Sequence, residues 1–444
     1  MKIIYIILLA ILFSCNEKPK DKNKALETEK EAAIESAVHT IETTAKDTIE
    51  NITENNTIAF KEIIDRLAFK KLPVIDTTNF DNFNEEKFLN QEEAKALSLE
   101  EIYPDFYKEG YNYRATPSYK IDFSKDFHSI VIVVFKGDNE MESILINYTT
   151  TGSIINHKVV SYDEIAEGWS KIVSRIGDRI ITTNHIFYGE EAQVNQIEHI
   201  IYPDGKIVKT DEKSLNETID NFSFLFEVLN VYGGNESIIK VKTDFLTSKV
   251  VPNRKEETII VIPEIATYES ADEFDLDCHI LIANTTTGKV TQAIFESAKN
   301  NQWVSDALRL NKIEIDTAPY MLSGDERAFG IRTFYIGSSR VNPYNSETLS
   351  LFVKYDSAFK KVLDNYTVSD YNGEWDGTCT GEFIDHKRTL IMSEEKTNGY
   401  FDIIIKNKIT KSVSSEDENG DCDTKETTNT ATSLLKFDGV TYKP

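Results

Sequence analysis

His128-Ser-Ile-Val-Ile-Val-Val-Phe135 decides the fold class of this chain. Ile130 to Val134 are all β-branched, and Phe135 is aromatic. Such side chains are stiff at χ1 and suit a pleated surface. No polar residue interrupts the run from Ile130 onward, so the pattern predicts a strand covered on both faces. The run is too short for a buried helix.

Reading outward, strand patterns recur on both sides. Tyr119–Phe123 is short. Ser143–Thr150 alternates less cleanly and leads into a turn at Thr151-Gly152. Ile154–Tyr162, Arg179–Tyr188 and Gln193–Tyr202 follow, and Pro203-Asp-Gly-Lys206 reads as a hairpin turn because Asp-Gly supplies positive φ. Two short helices precede the strands. Phe60, Ile63, Ile64, Leu67 and Ala68 mark one face of the first, which stops before Pro73. The second covers Gln91 to Ile102 and ends at Pro104. Residues 57–213 therefore read as an α+β domain with a β-meander.

A polar stretch, Thr210–Asn221, separates this region from residues 214–444. There the predicted strands are Ser237–Phe245, Glu257–Ile262, Glu273–Ala283, Val290–Ser297, Lys312–Asp316, Phe329–Ile336, Thr348–Tyr355 and Lys360–Val368. Thr389–Ser393, Tyr400–Lys406 and Ser433–Phe437 complete the series. Many short strands with turns between them indicate an all-β sandwich, barrel or partial propeller. No repeat of fixed period is present. The chain as a whole reads as mainly β.

The N-terminus has a different character. Met1-Lys2 precedes an apolar run from Ile3 to Phe13, then Ser14-Cys15. A membrane-spanning helix needs about 20 apolar residues. This run is shorter, and Asn16, Glu17, Lys18, Pro19 and Lys20 follow it. Length and flanks fit a cleaved signal. Leu12-Phe13-Ser14-Cys15 resembles the lipobox of bacterial lipoproteins. The resemblance implies a signal peptide over residues 1–14, a lipid on the Cys15 thiol, durable membrane attachment and a place in the cell envelope, at the outer membrane. In texture the body is similar to other β-rich bacterial lipoproteins, which carries over no functional residue.

Residues 15–56 then form a lipidated tether. Ile34, Val38, Ile41, Ala45, Ile49 and Ile52 recur at helical spacing, but the stripe is narrow and contains no aromatic residue. As coil, this stretch spans on the order of 35 Å.

The 444 residues carry a formal net charge of −25. Removal of Lys2 with the leader takes this to −26. Such a surface disfavours nucleic acid and favours basic partners or divalent cations. Of the cysteines, Cys278 sits in a strand-like segment as a buried thiol. Cys379 and Cys422 flank acidic loops and are the candidate disulfide.

Three constellations bear on chemistry. Asp370, Asn372 and Asp376, with Asp417, Asn419, Asp421 and Asp423, place oxygen side chains at alternate positions. They weakly resemble the start of calcium loops, so calcium is the candidate cofactor; the bland reading is solvated hairpin tips. Arg327, Arg332, Arg340 and Tyr344 belong to an arginine and aromatic cluster that also includes Arg309. It reads either as an anion or glycan pocket or as a structural network with Asp316, Asp325 and Glu326. His185 and His199 are placed to face each other across a hairpin, though ordinary strand positions explain them too. No zincin helix, nucleophile elbow, P-loop or paired Cys-x-x-Cys occurs in the sequence. The leading expectation is a non-enzymatic binding or scaffold protein with an envelope protein or glycan partner. An envelope hydrolase acting on a glycan or peptide, and an immunity or inhibitor lipoprotein, are the alternatives.

Overall fold

The β-branched run lies in the middle of a large antiparallel sheet. In the computed structural model, residues 56–83, 87–234, 237–268, 270 and 272–444 are described. Residues 1–55, including Cys15 and most of the expected tether, lie outside the described residues. The chain is mainly β, and Ile64–Pro444 forms one compact unit.

Residues 56–66 are helical, and the stripe Phe60, Ile63, Ile64 and Leu67 is buried. Two short strands follow, β1 (Ala68–Phe69) and β2 (Val74–Asp76). The first sheet then continues as a meander: β3 (Tyr113–Ile121), β4 (Phe127–Lys136), β5 (Glu140–Thr149), β6 (Ile154–Glu164), β7 (Ser170–Ile176), β8 (Ile180–Phe187), β9 (Gln193–Ile201) and β10 (Ile207–Ser214). β2 pairs with β7, while β6 meets β7 only at Tyr162 and Asp163.

In β4, Ile130 through Val134 are at most 1% exposed. Val131 packs with Tyr119, Leu145, Val160 and Ile201, and Val133 and Phe135 pack with Met141. Ile130, Ile132 and Val134 point to the opposite face by strand alternation. On that face the Tyr148 hydroxyl donates to the Leu97 carbonyl at 2.9 Å, and the Tyr103 hydroxyl donates to Glu142. The helices Gln91–Ala96 and Leu99–Ile102 therefore cover it. Sequence reading treats them as one helix. Ser98, at φ +50°, breaks it in two.

The second sheet contains β11 (Thr247–Val251), β12 (Arg254–Tyr268), β13 (Phe274–Asn284), β14 (Val290–Glu296) and β15 (Val304–Ser305). Its two faces pack on different partners. Ile260, Ile262, Leu281 and Ala283 meet Phe222, Leu225, Phe226 and Leu229 of the helix Phe222–Gly233, and beyond it Val173, Ile186 and Val194 of the first sheet. Ile259, Val261, Cys278, Ile280 and Ile282 meet Leu310, Ile313, Ile315, Phe329 and Phe352 of the third sheet. The middle sheet is thus buried on both faces. The boundary expected near residue 214 falls at the end of β10, and residues from both sides of it share this core.

The third sheet is a second long meander: β16 (Leu308–Met321), β17 (Arg327–Gly337), β18 (Tyr344–Tyr355), β19 (Ala358–Trp375), β20 (Gly381–Thr397), β21 (Tyr400–Glu416), β22 (Cys422–Phe437) and β23 (Tyr442–Lys443). Its strands fold over a core of Leu349, Leu351, Val362, Leu363, Ile403, Ile405 and Leu435. First and last strands do not pair among the described residues, so the sheets are stacked open meanders with no closed barrel.

One segment departs from the sequence expectation. Ser237–Phe245, read as a strand, forms two 3-10 turns, Ser237–Lys240 and Thr243–Phe245. Its apolar residues Ile238, Ile239 and Phe245 are buried as a strand's would be. A short apolar run does not by itself tell one local conformation from another.

Candidate functional site

Two features of the second and third sheets offer contact surfaces. The first is a cleft between them of about 360 Å³. The β11–β12 turn, with Asn253 at φ +66°, forms one wall; the β16–β17 hairpin and the end of β18 form the others. Its floor is apolar. Ile259, Ile282, Phe329 and Val353 are buried, and Met321 and Val251 are half-buried.

Three cations line the walls: Arg254, Arg327 and Lys354. Glu257 Oε2 sits 2.6 Å from Lys354 Nζ and 3.5 Å from Arg254. One carboxylate therefore serves two cations. Arg327 donates to the Thr317 carbonyl at 2.6 Å, a neutral acceptor. Asp325 and Glu326 of the β16–β17 hairpin, both exposed, also line the cleft, and Glu326 bonds the Tyr400 hydroxyl and Ser323, so three carboxylates accompany the three cations.

The second feature is a ribbon made by the outer halves of β19 to β22. β20 and β21 are each 17 residues long, and their outer halves are exposed or half-buried apart from Gly381. Every residue of β22 from Cys422 to Leu434 is exposed. β22 is paired by β21 on one side, but by β23 only at Lys436 and Phe437. A disulfide joins Cys379 to Cys422, with Cα atoms 5.6 Å apart, and ties the start of β20 to the start of β22 across the end of β21. A groove of about 1100 Å³ runs beside it, lined by Asn342, Trp375, Phe383 and Ser412 among others. The Tyr371 and Phe383 rings stack at 5.9 Å and 7°. Phe383 lies over two glycines: a Cβ at Gly373 would sit 2.3 Å from its ring, and one at Gly381 2.9 Å. Only glycine fits beneath that ring.

The candidate calcium ligands do not lie in two matching loops. Asp370, Asn372 and Glu374 are not in a loop but in β19, and Asp370 pairs with Arg388. Asp376 turns its carboxylate on its own backbone, accepting from Thr378 N at 2.8 Å and Cys379 N at 3.0 Å. Asp417 does the same with Asn419 N and Asp421 N. Asn419, Asp421 and Asp423 are exposed at or beside that turn. Among the described residues, no three His, Cys, Asp or Glu side chains converge as on a metal ion. An Asp that opens a tight turn, as in Asp376-Gly-Thr-Cys and Asp417-Glu-Asn-Gly, equally caps its own backbone. That use occupies Asp376 and Asp417.

The arginine cluster disperses. Arg332 Nε is 2.8 Å from Asp316 Oδ2, its NH1 pairs with Glu347, and Tyr320 donates to Asp316 at 2.7 Å. That closed network is structural. Arg309 lies 3.7 Å from Asp272, Arg340 is exposed in the β17–β18 connection, and Tyr344 opens β18 opposite Asn372. Only Arg327 of the sequence candidates lines the cleft. Arg254 and Lys354 come from strands far apart in sequence, so no local pattern marks them.

His185 and His199 share a face of the first sheet but are not opposite each other. His185 pairs with Asn195, and His199 with Ile181. Burial, then the charge of Lys158, lowers the pKa of each to about 4. The Cys278 thiol is fully buried, and burial pushes its pKa well up. Among the described residues, no helix is long and apolar enough to cross a membrane.

No protein family and no curated protein matches this chain. Two solved structures are similar over most of its length. One is the extracellular domains 1–2 of Drosophila Semaphorin 1b, at 8% identity and a TM-score of 0.19, covering 72% of this chain and 78% of that one. The other is the WD40 domain of SCAP from fission yeast, at 9% identity and a TM-score of 0.17, covering 73% of this chain and 67% of that one. At those scores neither likeness bears on fold or function.

Proposed function

We propose that this chain is a lipid-anchored protein of the bacterial cell envelope with a binding or scaffold role, not an enzyme. Its partner is an envelope protein or glycan. The observation that carries this reading is the ribbon. Its outer halves bury little and add little to the core, yet long strands, a cross-strand disulfide and two glycines under a stacked ring hold them rigid. A rigid, exposed sheet is suited to contact, because a preorganised surface loses little entropy on binding. The open edge of β22 also accepts strand addition, in which main-chain hydrogen bonds supply the affinity. The Met1–Cys15 pattern supports the anchoring half of the proposal.

The test is site-specific photocrosslinking in intact cells. Crosslinkers at Lys411 and Lys425 on the ribbon should give a discrete adduct that the exposed control positions Lys71 and Lys255 do not. Equal labelling from all four positions, or none from the ribbon, would remove the basis for this reading.

A further inference from the structure

Register gives the ribbon two unlike faces. Tyr371, Gly373 and Trp375 of β19 stand opposite Asp385, Phe383 and Gly381 of β20, so their side chains share one face. Ser412 and Ser414 of β21, then Glu426 and Thr424 of β22, continue that face outward. We propose that this face binds an uncharged glycan of hexopyranose units. The inference rests on reading the ribbon as a contact surface, and it names the ligand class.

The rings are the first argument. Cδ1 of Phe383 lies 2.3 Å from where a Gly373 Cβ would sit, and Cζ lies 2.9 Å from where a Gly381 Cβ would sit. Opposite edges of one ring rest over two glycines, so the ring lies flat on the sheet with its other face outward. The Tyr371 ring is parallel to it within 7°, with centroids 5.9 Å apart, and lies flat too. Both rings are half-buried, as is Trp375, and none of the three belongs to the buried core of the third sheet. An aromatic face is electron-rich and attracts the polarised C–H bonds of a sugar ring. A hexose with equatorial hydroxyls presents those bonds as a flat patch. An apolar peptide side chain needs a pocket, which two parallel rings lying on a sheet do not make.

Hydroxyls and charge are the second argument. Beside the rings run Ser412, Ser414 and Thr424, with the Ser414 and Thr424 hydroxyls 2.8 Å apart. Each hydroxyl can donate and accept, which matches the hydroxyls of a sugar. Asp385 on this face lies 3.1 Å from Lys387, and Glu426 accepts from Ser412 at 3.3 Å. The groove of about 1100 Å³ beside Phe383 and Trp375 adds Glu374, Asp376 and Glu382 against the single cation Lys411. That balance repels an acidic glycan and leaves a neutral one unopposed. The groove is larger than the usual small-molecule site, as a chain of sugars requires.

The test is calorimetric titration of the full chain carrying Cys15→Ser. Cellohexaose and the hexamer of N-acetylglucosamine are the neutral probes, and hexagalacturonate is the acidic control. At least one neutral hexamer should bind, with the acidic one about tenfold weaker or more. Tyr371→Ala and Phe383→Leu should each weaken that binding about tenfold, with melting temperature little changed. Tyr371→Phe, which keeps the ring, should bind like the parent. Tyr371→Ala decides if Phe383→Leu does not fold. The proposal is overturned if neither neutral hexamer binds at millimolar concentration, if the acidic hexamer binds as well, or if folded Tyr371→Ala binds like the parent. A discrete protein adduct from the ribbon without glycan binding would remove the glycan and leave the contact role standing. Absence of both would remove both.

Discussion

Arg332 illustrates how a single side chain can organise a buried polar site. Its guanidinium meets Asp316, Glu347 and the Tyr320 hydroxyl, all partly withdrawn from water. The Asp316 carboxyl feels burial, which raises its pKa. The bonds from Tyr320, Ala318 N and Arg332 outweigh it and hold the pKa below the usual value. Arg332→Met should therefore destabilise by about 2–4 kcal/mol, because two carboxylates lose their cation. Urea unfolding measures this, and a loss below about half a kcal/mol would mean the network is screened by water. His185 and His199 give the pH counterpart. Their folded pKa values, about 4, lie below the ordinary 6.5, so the unfolded chain binds more protons between those pH values. Stability should fall as pH drops from about 6.5 to about 4 and level off below. The full effect is at most about 3 kcal/mol for each. A His185→Gln, His199→Gln double variant should lose most of that slope in melting temperature against pH, and an unchanged slope would place the acid sensitivity elsewhere.

At the scale of elements, legibility followed burial. Strands with a covered face announced themselves, as in the run Ile130–Val134 in β4 and the segment Glu273–Ala283, which overlaps β13, and so did the Asp204-Gly205 turn with Gly205 at φ +84°. The predicted segments Thr389–Ser393, Tyr400–Lys406 and Ser433–Phe437 matched only the inner parts of β20, β21 and β22. Their outer parts, such as Thr424–Thr432, have no buried face, so selection for a core leaves no alternation there. The helix Phe222–Gly233 escaped for the opposite reason. Phe222-Ser-Phe-Leu-Phe is apolar almost all round because the helix is wedged between two sheets. The candidate site was legible only at Arg327, since its partners arrive from other strands. The disulfide Cys379–Cys422 belongs to this scale, because it clamps the outer ends of three strands that are otherwise joined by their ladder pairing. It closes a loop of 43 residues. Cys379→Ser should cost roughly 2–4 kcal/mol on the loop-closure account. Hydrogen exchange should quicken in β22 and leave β4 unaffected. Exchange rising equally in both strands would show that the clamp stabilises the whole unit and not the ribbon.

For the whole molecule, the acidity and the proposed anchor must be compatible. A chain at −25 is repelled overall by anionic headgroups, so its net charge does not favour a membrane surface. Among the described residues there is no spanning helix. On the proposed reading the attachment comes from the N-terminal segment, through a lipid on Cys15 in the Leu12-Phe13-Ser14-Cys15 context. A single acyl chain gives only reversible binding, and durable attachment needs more than one. Cys15→Ser should thus move the protein from the membrane pellet to the soluble fraction while its melting temperature stays within a few degrees of the parent. High-salt washing separates the possibilities. Salt cannot release a lipid anchor, but it weakens contacts made by charge within a Debye length of about 10 Å at 0.1 M. Wild-type protein should resist the wash and the variant should not sediment even before it. A variant that still pellets after high salt would mean that the folded body itself holds the membrane or a membrane-bound partner, with the exposed ribbon as the first surface to mutate.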